Sequence, residues 1–304
     1  MIRIFKIFIF FSFVINVYGQ SEYIYVLGNV QDAGLPHIGC KHEFCKEKFN
    51  EFEEYFTTSI AVIDPLNKKY VLFEATPDLP YQLNYLDKKL FKNFSLPESI
   101  FITHAHIGHY AGLMYFGREA LGSKDLKVNV LPKMANFLKT NGPWSQLVEI
   151  NNIKIQEIIF GQKTNHLSNI SVTPIKVPHR DEYSETAAYV IIGKNKKALF
   201  IPDIDKWEKW EKNLRELVRK FDYLLLDATF YDSVEINRDI SEIPHPLVSE
   251  TISLLENLSL KDKSKVYFIH MNHTNMMLDP KSDLTDYVIS KGFNIARLGL
   301  KLEL

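Results

Sequence analysis

The chain has 304 residues, of which 46% are hydrophobic and 13% aromatic, so it is long enough to bury one large core. Its formal net charge of −1 at pH 7 provides neither the basic field that attracts nucleic acid nor a strongly acidic balance. Composition therefore argues against a nucleic-acid partner and favours a small-molecule substrate.

The first 19 residues have the pattern of a secretory signal peptide. Arg3 and Lys6 give a basic start, and residues 7–17 form an almost unbroken apolar run. The alternative is a membrane anchor, but the run is shorter than the roughly 20 residues that span a bilayer. We expect residues 1–19 to be cleaved, which leaves residues 20–304 as one periplasmic or secreted domain without a stable membrane span.

Two cysteines, Cys40 and Cys45, follow soon after this segment. In an oxidising compartment, two neighbouring thiols most simply form one local disulfide, and this is the pairing that we expect. The alternative is a small zinc site that also uses His37 or His42.

The next part of the chain is predicted to be rich in strands, because β-branched and aromatic residues run together or alternate with polar ones. The predicted strands are 23–30, 59–64, 69–73 and 99–103. Leucines at nearly helical spacing predict a helix over 78–92, and a second helix is predicted over 110–121.

The second half repeats this organisation. The predicted strands are 153–160, 171–177, a hairpin of 187–193 with 198–202, 223–227 and 265–270, and the predicted helices are 205–221, 245–258 and 280–291. Two halves of mixed strands with helices outside predict an α/β fold of the mixed α+β kind, an αββα four-layer sandwich.

Three histidines directly after the fourth predicted strand are the most informative feature of the sequence. His104, His106 and His109 lie within six residues. Imidazole suits zinc, and three rings so close in sequence converge only if the backbone turns sharply after the strand. The apolar spacers Ala105 and Ile107 argue against a histidine-rich surface tract, so we predict a metal site.

Further polar side chains lie at or just past the ends of predicted strands, namely His179, Asp203, Asp227 and His270. Strand ends on one edge can bring residues that are distant in sequence to one point. Asp227 is expected to orient a ligand histidine. His245 precedes a predicted helix, and we expect it to orient the substrate or to stabilise a developing oxyanion.

Together these motifs resemble the metallo-β-lactamase superfamily. The His-x-His-x-x-His segment after a strand is similar to its first metal motif, and four other stretches agree in the right order, which are 177–179, 200–203, 226–230 and 268–275. Several details, which are found in 35–40, 74–79 and 178–186, are similar to the protein B family of pyrroloquinoline quinone biosynthesis. The similarity extends from about Tyr25 to the C-terminus.

The resemblance implies two zinc positions. The ligands would be His104, His106 and His179 for the first ion, and His109, Asp203 and His270 for the second. Three neutral nitrogens at the first position would leave one coordination position open, as in catalytic zinc sites. Asp203 would bridge the two ions. We expect Asp203 and His245 to be the catalytic residues.

Gly108 departs from the family's pattern, which has Asp at this position as a ligand of the second metal and a partner of the attacking water. Glycine can do neither, so we expect one or two zinc ions, a weaker second ion, and tighter binding in Gly108→Asp. If another residue substitutes, His273 and Asp181 are the candidates.

We expect an exported metal-dependent hydrolase in which metal-bound hydroxide attacks an ester, amide or phosphodiester type bond of an unknown substrate. The alternative is a noncatalytic carrier or binding protein in pyrroloquinoline quinone biosynthesis or transport. Gly108 keeps this alternative open.

Overall fold

The computed structural model describes residues 21–50, 55–235 and 243–304. Within these ranges the chain forms two seven-stranded sheets with helices on their outer faces. The predicted signal peptide lies outside the described residues. The helices in the described part are all too short or too polar to cross a membrane.

The first sheet combines the N-terminal strands with the last strand of the chain. Its strands are β1 (Tyr23–Gly28), β2 (Ser59–Asp64), β3 (Lys69–Phe73), β4 (Ser99–Phe101), β5 (Leu126–Val130), β6 (Ile153–Glu157) and β14 (Lys301–Glu303). Their order is β14-β1-β2-β3-β4-β5-β6. Strands β1 and β4 run in the same direction, since β1–β2 and β2–β3 are antiparallel pairs and β3–β4 is parallel.

The second sheet is formed by the later strands. These are β7 (Thr164–Asn165), β8 (Ser171–Lys176), β9 (Ala187–Ile192), β10 (Lys197–Ile201), β11 (Tyr223–Asp227), β12 (Val266–Ile269) and β13 (Asn294–Ile295). Their order is β13-β12-β11-β10-β9-β8-β7. Strands β8, β10, β11 and β12 run in one direction, because β9 is antiparallel to both of its neighbours and β10, β11 and β12 pair in parallel.

Side-chain alternation along the strands produces the layers. In β1, Ile24 and Val26 pack between the two sheets, whereas Tyr23 and Tyr25 face the helices on the outer side. This two-residue period is the one that a strand requires. The αββα sandwich predicted from the sequence is therefore confirmed.

The helices cover the outer faces of both sheets. Their bounds are α1 (Glu43–Asn50), α2 (Leu79–Leu86), α3 (Ile107–Tyr110), α4 (Pro132–Thr140), α5 (Trp144–Glu149), α6 (Leu214–Lys220), α7 (Val248–Leu254), α8 (Leu260–Lys263) and α9 (Asp283–Ser290). Helices α2, α4 and α5 pack on the first sheet. Helices α6, α7 and α9 pack on the second.

The helix predicted over 205–221 is wrong in its first half, because α6 begins only at Leu214. The indole nitrogens of Trp207 and Trp210 donate instead to the Thr251 hydroxyl at 2.8 Å and to the Lys176 carbonyl at 2.9 Å. These two tertiary hydrogen bonds accompany a short 3₁₀ turn in place of the α-helix.

The helix predicted over 110–121 is also wrong, since α3 ends at Tyr110 and a 3₁₀ segment follows over Ala111–Phe116. The backbone nitrogen of Gly112 donates to the Ala75 carbonyl at 2.8 Å. A Cβ atom on Gly112 would lie only 2.1 Å from the Thr76 carbonyl oxygen. Because the nitrogen of Ala75 in turn donates to the His109 carbonyl at 2.8 Å, this close approach holds the turn that carries His109.

We predict that Gly112→Ala lowers the free energy of unfolding by about 1–3 kcal/mol, because the new methyl group overlaps backbone that cannot move aside easily. Gly142→Ala is the matched control, since a Cβ atom there would meet nothing within 4 Å. Thermal unfolding followed by circular dichroism measures both. Equal melting temperatures for the two variants would show that the contact is not constraining.

Candidate metal centre

The predicted site residues meet at one edge of the sandwich, past the C-terminal ends of strands. His104 follows β4 of the first sheet. His179, Asp203 and His270 follow β8, β10 and β12 of the second sheet. Loops from both sheets thus project their side chains to one place.

The first cluster consists of His104, His106, His179 and Asp203. His106 Nδ1 lies 2.8 Å from His104 Nε2 and 3.3 Å from His179 Nε2. The two Nε2 atoms each lie 3.6 Å from an oxygen of Asp203. Four zinc ligands in a tetrahedron at about 2.0–2.1 Å from the ion lie roughly 3.3 Å apart, so this spacing fits one ion.

The second cluster consists of Asp32, His109, Asp203 and His270. Asp203 Oδ2 lies 3.0 Å from His109 Nε2 and 3.4 Å from His270 Nε2. Asp32 Oδ1 lies 3.1 Å and 3.3 Å from the same two nitrogens. The sequence did not single out Asp32, which belongs to no local motif and lies 77 positions before His109 in the chain (109 − 32).

Unpartnered atoms in the two clusters support a bound cation. His109 Nε2 and Asp203 Oδ1 are fully buried and make no hydrogen bond of acceptable geometry within the described residues. Buried polar atoms are nearly always paired in native proteins. A divalent cation between nitrogen and carboxylate donors would provide the missing partner, so the residues present fit zinc.

The protonation states also suit metal binding. Burial lowers the pKa of His104 well below its usual value and lowers that of His179 to about 4. Both rings are therefore neutral at pH 7, which is the form that binds a metal. Burial alone would raise the pKa of Asp203, but the neighbouring His270 and His179 hold it well below its usual value, so the carboxyl is ionised.

His109 lies next to more carboxylates than His104 or His179 does. Burial alone would lower its pKa, but the carboxylates of Glu74 and Asp32 raise it well above its usual value. Glu74 Oε1 lies 3.5 Å from His109 Nδ1, and its other oxygen accepts from the Thr103 backbone at 3.3 Å. Glu74 therefore places a negative charge beside the ring and accepts a hydrogen bond from the loop that carries the three histidines.

Asp227 is fully buried and fixes the far side of the centre. It accepts from His245 Nδ1 at 2.8 Å, from the Ile204 nitrogen at 3.1 Å and from the Thr229 hydroxyl at 2.7 Å. That hydroxyl is in turn 3.1 Å from His270 Nδ1. The arrangement agrees with the role expected for Asp227, since ligand histidines commonly bond a carboxylate through their second nitrogen or through an intermediary.

His245 lies in the wall of the centre, together with Asp203, Asp227 and His270 in a third cluster. Its ring is buried, and Nδ1 lies 3.2 Å from Asp203 Oδ1 in addition to its bond with Asp227. Nε2 is therefore the ring nitrogen that remains for another contact.

The two substitutes named for Gly108 lie elsewhere. Asp181 accepts from the Thr186 hydroxyl at 2.8 Å. His273 stacks on His37 with ring centroids 4.0 Å apart. Neither belongs to the clusters, and Asp32 occupies the position that they were expected to fill.

The predicted disulfide is not present in the structure, where Cys40 and Cys45 are free. The Cys45 sulfur instead accepts from the His37 backbone nitrogen at 3.1 Å. The alternative zinc site gains no support, because the donor groups with metal-like spacing in the described part of the chain all contain Asp203.

Comparison with known proteins gives a family match. A family model described as Beta-lactamase superfamily domain matches residues 69–271. The coenzyme PQQ synthesis protein B of Methylococcus capsulatus is 26% identical over an alignment of 310 residues, gaps included. The alignment covers 92% of this chain and 99% of that protein.

Two solved structures are similar in fold. Zn²⁺-bound PqqB from Methylobacterium extorquens has a TM-score of 0.77 and 19% identity, and the match covers 93% of this chain and 100% of that chain. A diphosphatase from the PhnP family has a TM-score of 0.66 and 23% identity, and the match covers 94% and 98% of the two chains.

We predict that Asp203→Ala lowers the affinity for metal at both positions, because one carboxylate contributes to both clusters. His106→Ala should weaken only the first position. Elemental analysis of protein dialysed against a mild chelator gives the number of ions retained. Asp181→Ala is the matched carboxylate control and should keep the wild-type metal content, whereas full retention by Asp203→Ala would contradict the shared role.

Proposed function

We propose that the chain is a metal-dependent hydrolase that acts on a small molecule. The chain belongs to the beta-lactamase superfamily and is similar to PqqB. The observation that carries this proposal is the pair of donor clusters that share Asp203 at one edge of the sandwich. Structural zinc sites use four protein ligands around one ion and do not need a second cation beside it. Two adjacent positions with a common carboxylate are typical of hydrolytic centres.

Zinc is the cation that the donors favour, because imidazole nitrogens outnumber carboxylates and no thiolate takes part. His104, His106 and His179 would hold one ion, and His109, His270 and Asp203 the other. When bound, zinc supplies Lewis acidity, which polarises a carbonyl or phosphoryl group and activates water at neutral pH.

His245 is proposed to contact the substrate. Since Asp227 binds its Nδ1 at 2.8 Å, the ring cannot rotate freely and Nε2 keeps one direction. A donor held in this way can bond an oxygen that gains negative charge during attack on an ester, amide or phosphodiester. Asp203 belongs to both clusters, and its negative charge would reduce the repulsion between two bound cations.

A groove beside the first cluster is the proposed place for the rest of the substrate. Its volume is about 600 Å³, and its lining includes Lys133, Phe137, Glu182 and Tyr183. Glu182 connects the groove to the centre, because its carboxylate lies 3.3 Å from His106 Nε2. A volume of this size suits a small organic molecule.

We predict that the zinc-loaded protein hydrolyses at least one of three chromogenic probes, p-nitrophenyl acetate, bis(p-nitrophenyl) phosphate or an amino-acid p-nitroanilide. Turnover should disappear in His104→Ala, which loses a metal ligand. It should fall by about 100-fold in kcat in His245→Gln, which loses the oriented donor. His42→Ala, a change of an exposed histidine outside the clusters, should leave turnover unchanged.

The carrier alternative makes a different prediction for the same material. A carrier would bind pyrroloquinoline quinone stoichiometrically, and its zinc-loaded form would turn over none of the three probes. That pair of results would replace the hydrolase proposal.

We also propose that the chain is exported and cleaved near Gly19. The support is the basic start and apolar run of the sequence. After expression in a bacterial host, cell fractionation should recover the protein from the periplasm or the medium. Its intact mass should match a chain that starts near Gln20. A full-length chain in the cytoplasm would contradict export without affecting the hydrolase proposal.

A further inference from the structure

We infer that Asp32 supplies the second-site carboxylate that the histidine motif lacks, and that Gly108 is glycine because Asp32 occupies the space beside it. The inference rests on the proposed metal centre, but it concerns cation affinity and not turnover. It replaces the expectation from sequence that the second ion is weakly held.

The distances place Asp32 as a ligand of the second position. Its Oδ1 atom lies 3.1 Å from His109 Nε2 and 3.3 Å from His270 Nε2. Those are the two nitrogens that Asp203 also approaches. With Asp32 included, the second cluster offers two imidazole nitrogens and two carboxylates, and one of these carboxylates, Asp203, also belongs to the first cluster.

The space around Gly108 excludes a second carboxylate from the motif itself. A Cβ atom on Gly108 would lie 2.5 Å from both Cα and Oδ1 of Asp32 and 2.6 Å from its Cβ. Real Cβ atoms do not approach backbone so closely, because close-packed atoms repel steeply at this range. A side chain at position 108, including that of aspartate, is therefore excluded as long as the backbone of residue 32 keeps this position.

Backbone pairing holds Asp32 in place. The segment before it bridges to the residue after His270, since the Gln31 nitrogen donates to the Met271 carbonyl at 2.8 Å and the Met271 nitrogen donates to the Asn29 carbonyl at 2.8 Å. A turn then follows, closed by the Gly34 nitrogen and the Gln31 carbonyl at 2.8 Å. Asp32 and His270 thus flank the same pair of hydrogen bonds, so their relative position is fixed by main chain.

The charge of Asp32 is also suitable. Two carboxylates, Asp32 and Asp203, face the second position and balance the charge of a divalent cation. The missing Asp at Gly108 does not leave that position without a negative ligand.

The test removes the carboxylate at position 32 and, in a separate variant, adds one at position 108. Asp32→Asn keeps the shape of the side chain and removes its charge, and we expect the affinity for the second zinc equivalent to fall by at least about 10-fold while the first equivalent is unchanged. Gly108→Asp alone should fail to tighten the second equivalent, because of the overlap with Asp32. The double variant Asp32→Gly with Gly108→Asp should also fail to recover the second equivalent, because a Cβ atom at position 108 would still lie 2.5 Å from the Cα atom of residue 32.

Competition with a chromophoric chelator measures both zinc equivalents, and the visible spectrum of the cobalt-substituted protein reports separately on the second position. Asp181→Asn is the matched control. Far-UV circular dichroism and retention of the first equivalent show that each variant is folded.

Two outcomes overturn the inference. If Asp32→Asn holds two ions as tightly as wild type, Asp32 is not a ligand. If Gly108→Asp alone tightens the second ion, the space beside Gly108 is not occupied as described. A wild-type protein that binds no cation would instead contradict the proposed metal centre as a whole, so the two failures are distinguishable.

Discussion

One buried carboxylate, Asp203, is the group on which the centre depends. Among the described residues, five histidines approach it to within 3.6 Å, and these are His104, His109, His179, His245 and His270. Burying one charge among so many polar rings is costly unless counter-charges and ligands satisfy them. The ionised state of Asp203 and the neutral state of His104 and His179 are together the arrangement that divalent cations stabilise.

The fold can hold this cluster because both sheets contribute to the same edge. Each sheet places strand ends there, and a backbone bridge between Val30 and Met271 connects a segment after β1 to a segment after β12. Ligand positions set by main-chain hydrogen bonds move less than positions set by flexible loops. His270 itself has a positive φ of 66°, a conformation that costs energy for a residue with a side chain and that tertiary contacts must maintain.

The position of Asp32 changes the functional interpretation. The sequence has glycine at position 108, where the family has a metal-binding Asp, and this difference favours a reduced metal content or a carrier role. In the structure, the carboxylate comes from another loop, so the loss in the motif does not imply a loss in the site. The absence of Asp at position 108 is therefore no longer an argument for the carrier alternative, since Asp32 provides a carboxylate in the second cluster.

The sequence by itself determined the features that depend on neighbours in the chain. Short segments rich in β-branched and other apolar residues predicted the bounds of β2, β3 and β11, and the spacing of His104, His106 and His109 indicated a metal site, because both signals are local. The tertiary structure decided the rest. Trp207 and Trp210 form hydrogen bonds to distant residues where the sequence predicts a helix. The close approach of Gly112 to the Thr76 carbonyl likewise accompanies a 3₁₀ segment in place of a predicted helix. Asp32 reaches His109 only because the sheets bring two loops together. Such contacts are determined by packing across the whole fold, and no short stretch of sequence encodes them.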